Sequence, residues 1–388
     1  MAAGKGEKPM ITSTFLQDAA QARRLHCPRV CLYDAARDER HFCHHGHLGY
    51  YQGKWYAMWS NGMEGEGEIG QRILYAVSGD GLAWSEPQVL LENMAEGDTL
   101  LTLVPAGFLA GAEQLVAYAG AFRYAFPDRK QQDAAGQYRL GVGCTGTRLL
   151  AITSADGLHW SQPMDMRVPL CPNMGPQRLQ NGRLLITGNW AHAWSDNPAG
   201  LGPWQMSGYC TDPASQPHPL RDDPSALWEV SRNMGYPGAL CEGAFLQLED
   251  GAIHMLHRSY TPWLYESVSR DGGASWSAPV RTSFPDGNAK FYLGQLPDGQ
   301  YCYLGNPVPG SERCPLVLSL SRDGRCFDRH FLLEDKPTER KFAGVFKNGM
   351  YAYPHAVVAE DCLMVIYSLW KEDIFVQRIP LGMLSAEH

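Results

Sequence analysis

Ser78-Gly79-Asp80-Gly81-Leu82-Ala83-Trp84 is the stretch on which the fold turns. It returns as Ser154-Ala155-Asp156-Gly157-Leu158-His159-Trp160 and as Ser269-Arg270-Asp271-Gly272-Gly273-Ala274-Ser275-Trp276. A degenerate copy reads Ser321-Arg322-Asp323-Gly324-Arg325-Cys326-Phe327. The three full copies continue as Trp-Ser-x-Pro. The chemistry suits a tight turn: Asp accepts backbone N–H bonds, Gly takes a positive φ, and the aromatic ring packs over the loop. Each full copy follows an alternating apolar segment such as Ile73–Val77 or Leu264–Val268, the period of a half-buried strand.

A second repeat interleaves with the first: strand, short polar turn, strand. It appears at Leu48–Trp59, Phe108–Tyr118, Arg178–Ile186, Phe245–Met255, Gln295–Tyr303 and Val357–Tyr367. Asn-Gly or Asp-Gly between apolar runs is a strong hairpin signal. Repeating four-stranded units around an axis protects the sheet edges that such strands would otherwise expose. The expected fold is therefore an all-β propeller of six blades, or of seven if residues 190–235 hold an atypical one. No linker or composition break divides the chain, so residues 1–388 read as one propeller domain, with 1–25 as an N-terminal extension or partial strand.

Composition agrees. Gly numbers 41 and Pro 26, as many turns require, and a chain of 388 residues can bury its core without disulfides or structural metal. The net charge is −8 with no basic block, which argues against a nucleic-acid partner. No apolar run reaches spanning length, so no membrane partner is expected. Met1–Phe15 lacks the apolar core of a secretory signal. The expectation is a cytoplasmic protein, or a secreted or periplasmic one if a leader was removed. Cys27, Cys31 and Cys43 lie among histidines, but their spacing fits no standard zinc pattern. Reduced, mostly buried thiols account for the 11 cysteines, and neither a metal nor another cofactor is expected. The sequence does not fix the oligomeric state.

The Ser-x-Asp-Gly turns resemble the Asp-boxes of sialidases, where the motif is structural. A closer resemblance lies downstream. Cys241-Glu242-Gly243 through Leu256-His257-Arg258 is similar to the sialidase stretch carrying an active-site Glu, a hairpin and an Arg. Glu312-Arg313 through Ser321 resembles the segment with that family's last Arg, and Ala352-Tyr353-Pro354-His355 sits where the family places its nucleophilic Tyr. The resemblance implies a sialidase-like propeller with Glu242 activating Tyr353, and Arg258 and Arg313 gripping a carboxylate. A third Arg belongs early in that family's pattern. Here the place reads Cys43-His44-His45-Gly46-His47. Those histidines, with Gly65-Glu66-Gly67-Glu68-Ile69-Gly70-Gln71-Arg72, resemble propeller lyases and glycosidases of rhamnose–uronic acid linkages, ulvan lyases among them.

The candidate catalytic residues are thus His45, His44, His47, Glu242 and Tyr353. A near-neutral imidazole can remove the proton α to a uronate carboxylate or protonate a leaving oxygen. The candidate substrate-binding residues are Arg258, Arg313, Arg178, Glu68, Gln71 and His355. A guanidinium matches a carboxylate geometrically. Against these roles stand a hydrogen-bonded structural His, an Arg-paired structural Glu and a core Tyr. His192, with Trp190 and Trp194, suits either a sugar subsite or packed core. The expected partner is an acidic oligosaccharide or glycan. Three functions follow: cleavage at an acidic sugar by elimination or hydrolysis, an exo-α-sialidase with an altered arginine clamp, or a sugar-binding propeller without catalysis.

Overall fold

The computed structural model describes residues 10–66, 70–124, 144–188, 191–209, 218–219, 240–259, 261–344 and 346–385. Six four-stranded antiparallel sheets follow one another along the chain. Blade one is Phe42–Tyr51, Lys54–Gly62, Arg72–Ser78 and Gln88–Leu91. Blade two is Thr102–Ala110, Leu115–Tyr124, Cys144–Ser154 and Met164–Asp165. Blade three is Gln177–Arg178, Leu184–Thr187, His192–Ser195 and Gln205–Met206. Blade four is Gly243–Gln247, Ile253–His257, Trp263–Ser269 and Val280–Pro285. Blade five is Tyr292–Gln295, Tyr301–Gly305, Leu316–Ser321 and Arg329–Glu334. Blade six is Tyr351–Ala359, Cys362–Leu369 and Asp373–Pro380, with Arg29–Tyr33 from the start of the chain as its outermost strand.

The blade count is six. The strands His192–Ser195 and Gln205–Met206, within the stretch that left room for a seventh blade, belong to blade three. The first strands of blades four, five, six, one and two pack each against the next, so these strands line the axis. The N-terminal residues serve as straps: Thr12–Ser13 pairs with Cys326–Phe327, and Arg23–Arg24 adds a parallel strand beside Arg329–Glu334.

The core lies between blades. Trp55 and Trp59 of blade one are fully buried with Met364 and Ile366 of blade six. Tyr118, Leu184, Met255 and Trp276 continue the core across blades two to four. Burying an aromatic or large aliphatic side chain contributes about 1.5–3 kcal/mol, so these seams hold the ring.

The repeated turns behave as their residues demand. Asp80 Oδ1 accepts from the N–H groups of Leu82 and Ala83 at 2.9 and 2.8 Å, and Gly81 N donates to Ser78 Oγ at 2.8 Å. Trp84 Nε1 closes the loop onto Gly81 O at 3.0 Å. Gly81 has φ +75°, and Gly157, Gly272 and Gly324 match it within a few degrees at +72°, +72° and +71°. These turns stand at the same end of the blades as the first hairpins: Gly157 closes on the Tyr56 hydroxyl and Gly81 on the edge of Trp55. The opposite end carries the polar cluster described next.

Candidate active site

Inner strands normally send alternate side chains to opposite faces. Two of them here break that rule at a bulge. The register of blade one slips between His44 and His47, and His45 takes φ 54°. The register of blade six slips between Ala352 and His355, and Tyr353 also takes φ 54°. The bulge turns two consecutive residues, His44 and His45, toward the same tyrosine. Their rings lie 4.2 and 5.4 Å from the Tyr353 ring, centroid to centroid. Gly46 makes this possible, because a Cβ there would sit 2.9 Å from Ile366.

Tyr353 is buried, and its hydroxyl donates to Glu242 Oε1 at 2.5 Å. Arg258 Nη1 donates to the same phenol oxygen at 2.7 Å and is also paired with Glu242 Oε2. Asn288 Oδ1 holds the guanidinium from behind, accepting from Nε at 3.0 Å and Nη2 at 2.9 Å. Arg313 stands with its guanidinium carbon 5.4 Å from the Tyr353 ring. Its Nη2 donates to Asn288 O at 2.9 Å, while Nε and Nη1 are buried with no hydrogen-bond partner among the described residues. Blades four, five and six thus deliver Glu242, Arg258, Arg313 and Tyr353 to one place.

Two lysines complete the cluster. Lys290 Nζ lies 5.5 Å from the centre of the Tyr353 ring and donates to Asn173 O at 2.8 Å. Lys371 pairs with Glu66 Oε2 and donates to Phe346 O at 2.7 Å. Glu66 Oε1 is 3.8 Å from His45 Nε2. Sequence reasoning missed both lysines and did not name Glu66 among the candidate catalytic or binding residues. The available signal was a lysine between apolar neighbours in Ala289-Lys290-Phe291; Lys371, followed by Glu372 and Asp373, gave none.

Burial sets the protonation states. It lowers Lys290 to about 7 against the pull of Glu242, and Lys371 to about 8 against that of Glu66. It lowers His45 to about 3, opposed by Glu66, and drives His44 and His47 well below the usual imidazole range. It raises the Tyr353 phenol well above its ordinary value, with Arg258 working against it. Burial also works to raise the Glu242 carboxyl, but Arg258, the Tyr353 hydrogen bond and Lys290 together hold it below the usual range. At neutral pH a protonated phenol therefore faces a carboxylate and a guanidinium, beside neutral imidazoles.

The other candidates fall elsewhere. His47 is enclosed: Nδ1 meets His45 O at 2.9 Å and Nε2 meets Lys290 Nζ at 3.0 Å, so the ring props the bulge and the lysine rather than facing a substrate. His355 lies below the cluster, where Nδ1 accepts from Leu48 N at 3.2 Å, and its ring packs between His47 and Tyr292. Gln71 is buried against Gly62 inside blade one. Arg178 is a correction: it sits at the hairpin end of blade three, exposed, with its guanidinium held by Gly182 O and Pro198 O at 3.0 Å each. The strand runs from Asn173 near Lys290 toward that hairpin, which carries Arg178 away from the cluster. Glu68 and Trp190 lie outside the described residues. His192 is buried beside Trp276, and Trp194 stacks under Arg183 at 3.7 Å near the repeated turns, so both are packing residues.

Residues 53–366 match the model of the BNR repeat-like domain. The chain belongs to that family. Curated proteins give no match in sequence. Among solved structures, this BNR-family propeller is similar to a sialidase at 19% identity and a TM-score of 0.63, over 93% of this chain and 33% of that one. It is similar to a mutant Trypanosoma rangeli sialidase displaying trans-sialidase activity, at 14% identity and a TM-score of 0.59, over 94% of this chain and 60% of that one. The chain therefore spans about a third and three fifths of the lengths of those two proteins. The intramolecular trans-sialidase of Ruminococcus gnavus is matched at 13% identity and a TM-score of 0.60, over 93% of this chain and 99% of that one. At such identities the shared property is the six-bladed fold.

Proposed function

We propose that this propeller cleaves the glycosidic bond of a carboxylate-bearing sugar, with Tyr353 as nucleophile. The observation that carries the reading is the Glu242–Tyr353–Arg258 relay, at 2.5 and 2.7 Å, beside an Arg313 with two unfilled donors. Phenol attack on the anomeric carbon sends the Tyr353 proton to Glu242 while the bond to the leaving oxygen breaks. Arg258 steadies the developing charge on the phenol oxygen. The leaving oxygen takes a proton from a solvent water, and the hydroxide so formed is available for the second step. Water then displaces the sugar from Tyr353 by the reverse proton path. Arg313 and Lys290 favour an anion, because each unfilled or charged donor in a buried pocket is costly until a counter-charge arrives. The sialidase and trans-sialidase neighbours make a sialic acid the first sugar to try, with uronic acids next.

The test is turnover of fluorogenic α-sialosides and of a uronic-acid oligosaccharide panel, with a fluorinated sugar to trap the adduct. Mass spectrometry should place the adduct on the peptide containing Tyr353. A product with unsaturated-uronate absorbance and no adduct would instead favour elimination with His45 as base. Binding of these sugars without turnover would favour a lectin-like propeller.

A further inference from the structure

We propose that His44, His45 and Glu66 bind one divalent transition-metal ion, with zinc as the first candidate. The site uses side chains left over from the Tyr353 relay. The bulge that turns both imidazoles to one side leaves their ring centroids 4.3 Å apart, which regular alternation along a strand does not permit.

Two serines fix which nitrogen of each ring carries the proton. Ser60 Oγ donates to His44 O at 3.0 Å, so it accepts from Nδ1–H of His45, also at 3.0 Å. Ser368 Oγ donates to Ala352 O at 3.2 Å, so it accepts from Nδ1–H of His44 at 2.7 Å. A hydroxyl has one proton to give, and both serines have given theirs to carbonyls. Both imidazoles therefore present a bare Nε2 lone pair, the atom a metal takes, with Nδ1 oriented by an outer partner as metal-ligating histidines require.

His44 Nε2 is fully buried with no hydrogen-bond partner among the described residues. An acceptor left that way is unfavourable, and an ion would satisfy it. The third donor is Glu66, whose two oxygens are already divided: Oε1 is the one near His45, while Oε2 goes to Lys371. One ligand atom from each of His44, His45 and Glu66 lies within 4.8 Å of the other two. Tetrahedral zinc with bonds near 2.1 Å holds its donors about 3.4 Å apart, so modest rotations of the side chains close the site. Two neutral nitrogens and one carboxylate suit Zn²⁺ and its first-row neighbours rather than Ca²⁺ or Mg²⁺. Three protein ligands leave a position for water or a sugar oxygen.

Metal binding is measured without sugar, so it stands or falls apart from the glycosidase reading. The full chain, stripped with a chelator, is titrated with Zn²⁺ by calorimetry and with Co²⁺ by visible spectroscopy. The expected result is one equivalent of Zn²⁺ and a cobalt spectrum free of thiolate charge-transfer bands. His45→Ala and Glu66→Gln should each weaken binding by at least about tenfold, and Ser60→Ala by a similar factor. His159→Ala, on the exposed surface, should leave it unchanged. Circular dichroism checks that each variant is folded, and Glu66→Gln, which keeps the shape of a half-buried side chain, is the safest of them. The proposal is overturned if the folded wild type takes up no stoichiometric ion. It is equally overturned if His45→Ala and Glu66→Gln bind as the wild type does, or if cobalt reports thiolate ligands.

Discussion

His45 and Tyr353 share one backbone conformation, φ 54°, at bulges in neighbouring inner strands. A left-handed φ is uncommon outside glycine, and it persists where surrounding structure enforces it. Here each bulge aims a polar ring at the other. The blade-two inner strand carries a third bulge between Pro105 and Gly107, filled by a glycine at φ +112°. That glycine yields room: a Cβ on it would lie 3.1 Å from Gly175 N and 3.3 Å from the His47 ring.

Removing the phenol oxygen tests the relay most directly. Tyr353→Phe should lower kcat by at least about a thousandfold, as expected for loss of a nucleophile. Glu242→Gln should cost about 10²–10⁴ through loss of the proton acceptor. Steady-state kinetics, with thermal unfolding as the check on folding, decides both.

The two histidines that flank Gly46 should part company. His45→Ala should keep most of its thermal stability and lose turnover. His47→Ala should lose about 1–3 kcal/mol, because it strands the Lys290 ammonium and the carbonyl of His45. Chemical denaturation of both variants, beside their kcat values, separates the roles.

Affinity for an acidic sugar should fall as pH rises through the neutral range. Burial puts Lys290 at about 7, so it is charged below that pH and neutral above it. Glu242 opposes the shift, and Tyr353 and His47 face the same ammonium. A bound carboxylate raises the value further and moves the fall upward. In Lys290→Met, KM should be raised at low pH and should lose the part of its rise centred near pH 7.

Stability carries a signal of the same sign from Asp286. Burial raises this carboxyl to about 7, although it accepts from Ser259 N and Asn288 N. Its folded state holds a proton that the unfolded chain releases near pH 4. The contribution is therefore complete below about pH 4 and is lost as pH climbs to about 7. Asp286→Asn should show a flatter change of melting temperature across that window than the wild type.

Two glycine substitutions test the repeated turns. A Cβ on Gly157 would fall 2.0 Å from the Tyr56 hydroxyl, whereas nothing lies within 4 Å of one on Gly299. Both have positive φ, at +72° and +87°. Gly299→Ala should cost about 1–2 kcal/mol from the backbone alone. Gly157→Ala should cost distinctly more, read as the difference in melting temperature.

The ring of blades was legible because each Ser-x-Asp-Gly turn and each Asn-Gly or Asp-Gly hairpin is a local matter of hydrogen bonds and φ. The four residues Glu242, Arg258, Arg313 and Tyr353 were legible through their likeness to a known order of motifs. Lys290 and Lys371 were not, since a lysine in a sequence reads as solvated unless something shows what surrounds it. Strand alternation pointed to His44 and His45 facing apart unless a bulge intervened. Gly46, lying close against the Ile366 side chain, was the one local hint of that bulge, and the Ser368 hydroxyl that holds His44 comes from a distant strand. Arg178 misled for the converse reason: it lies at the hairpin end of its inner strand, away from the cluster.

In blade six, Val30 pairs with Val376, a contact between opposite ends of the described chain. A ribosome delivers Arg29–Tyr33 long before its partner exists. Until the last strand emerges, that segment has an exposed apolar edge and nothing to zip onto, and blade one has no neighbour on its Trp55–Trp59 side. Assembly of the ring must therefore wait for the whole sequence, a slow and all-or-none event by its wide sequence separation. During synthesis the nascent chain would be a client for chaperones, and production should be more sensitive to translation speed and temperature than the finished protein's stability suggests.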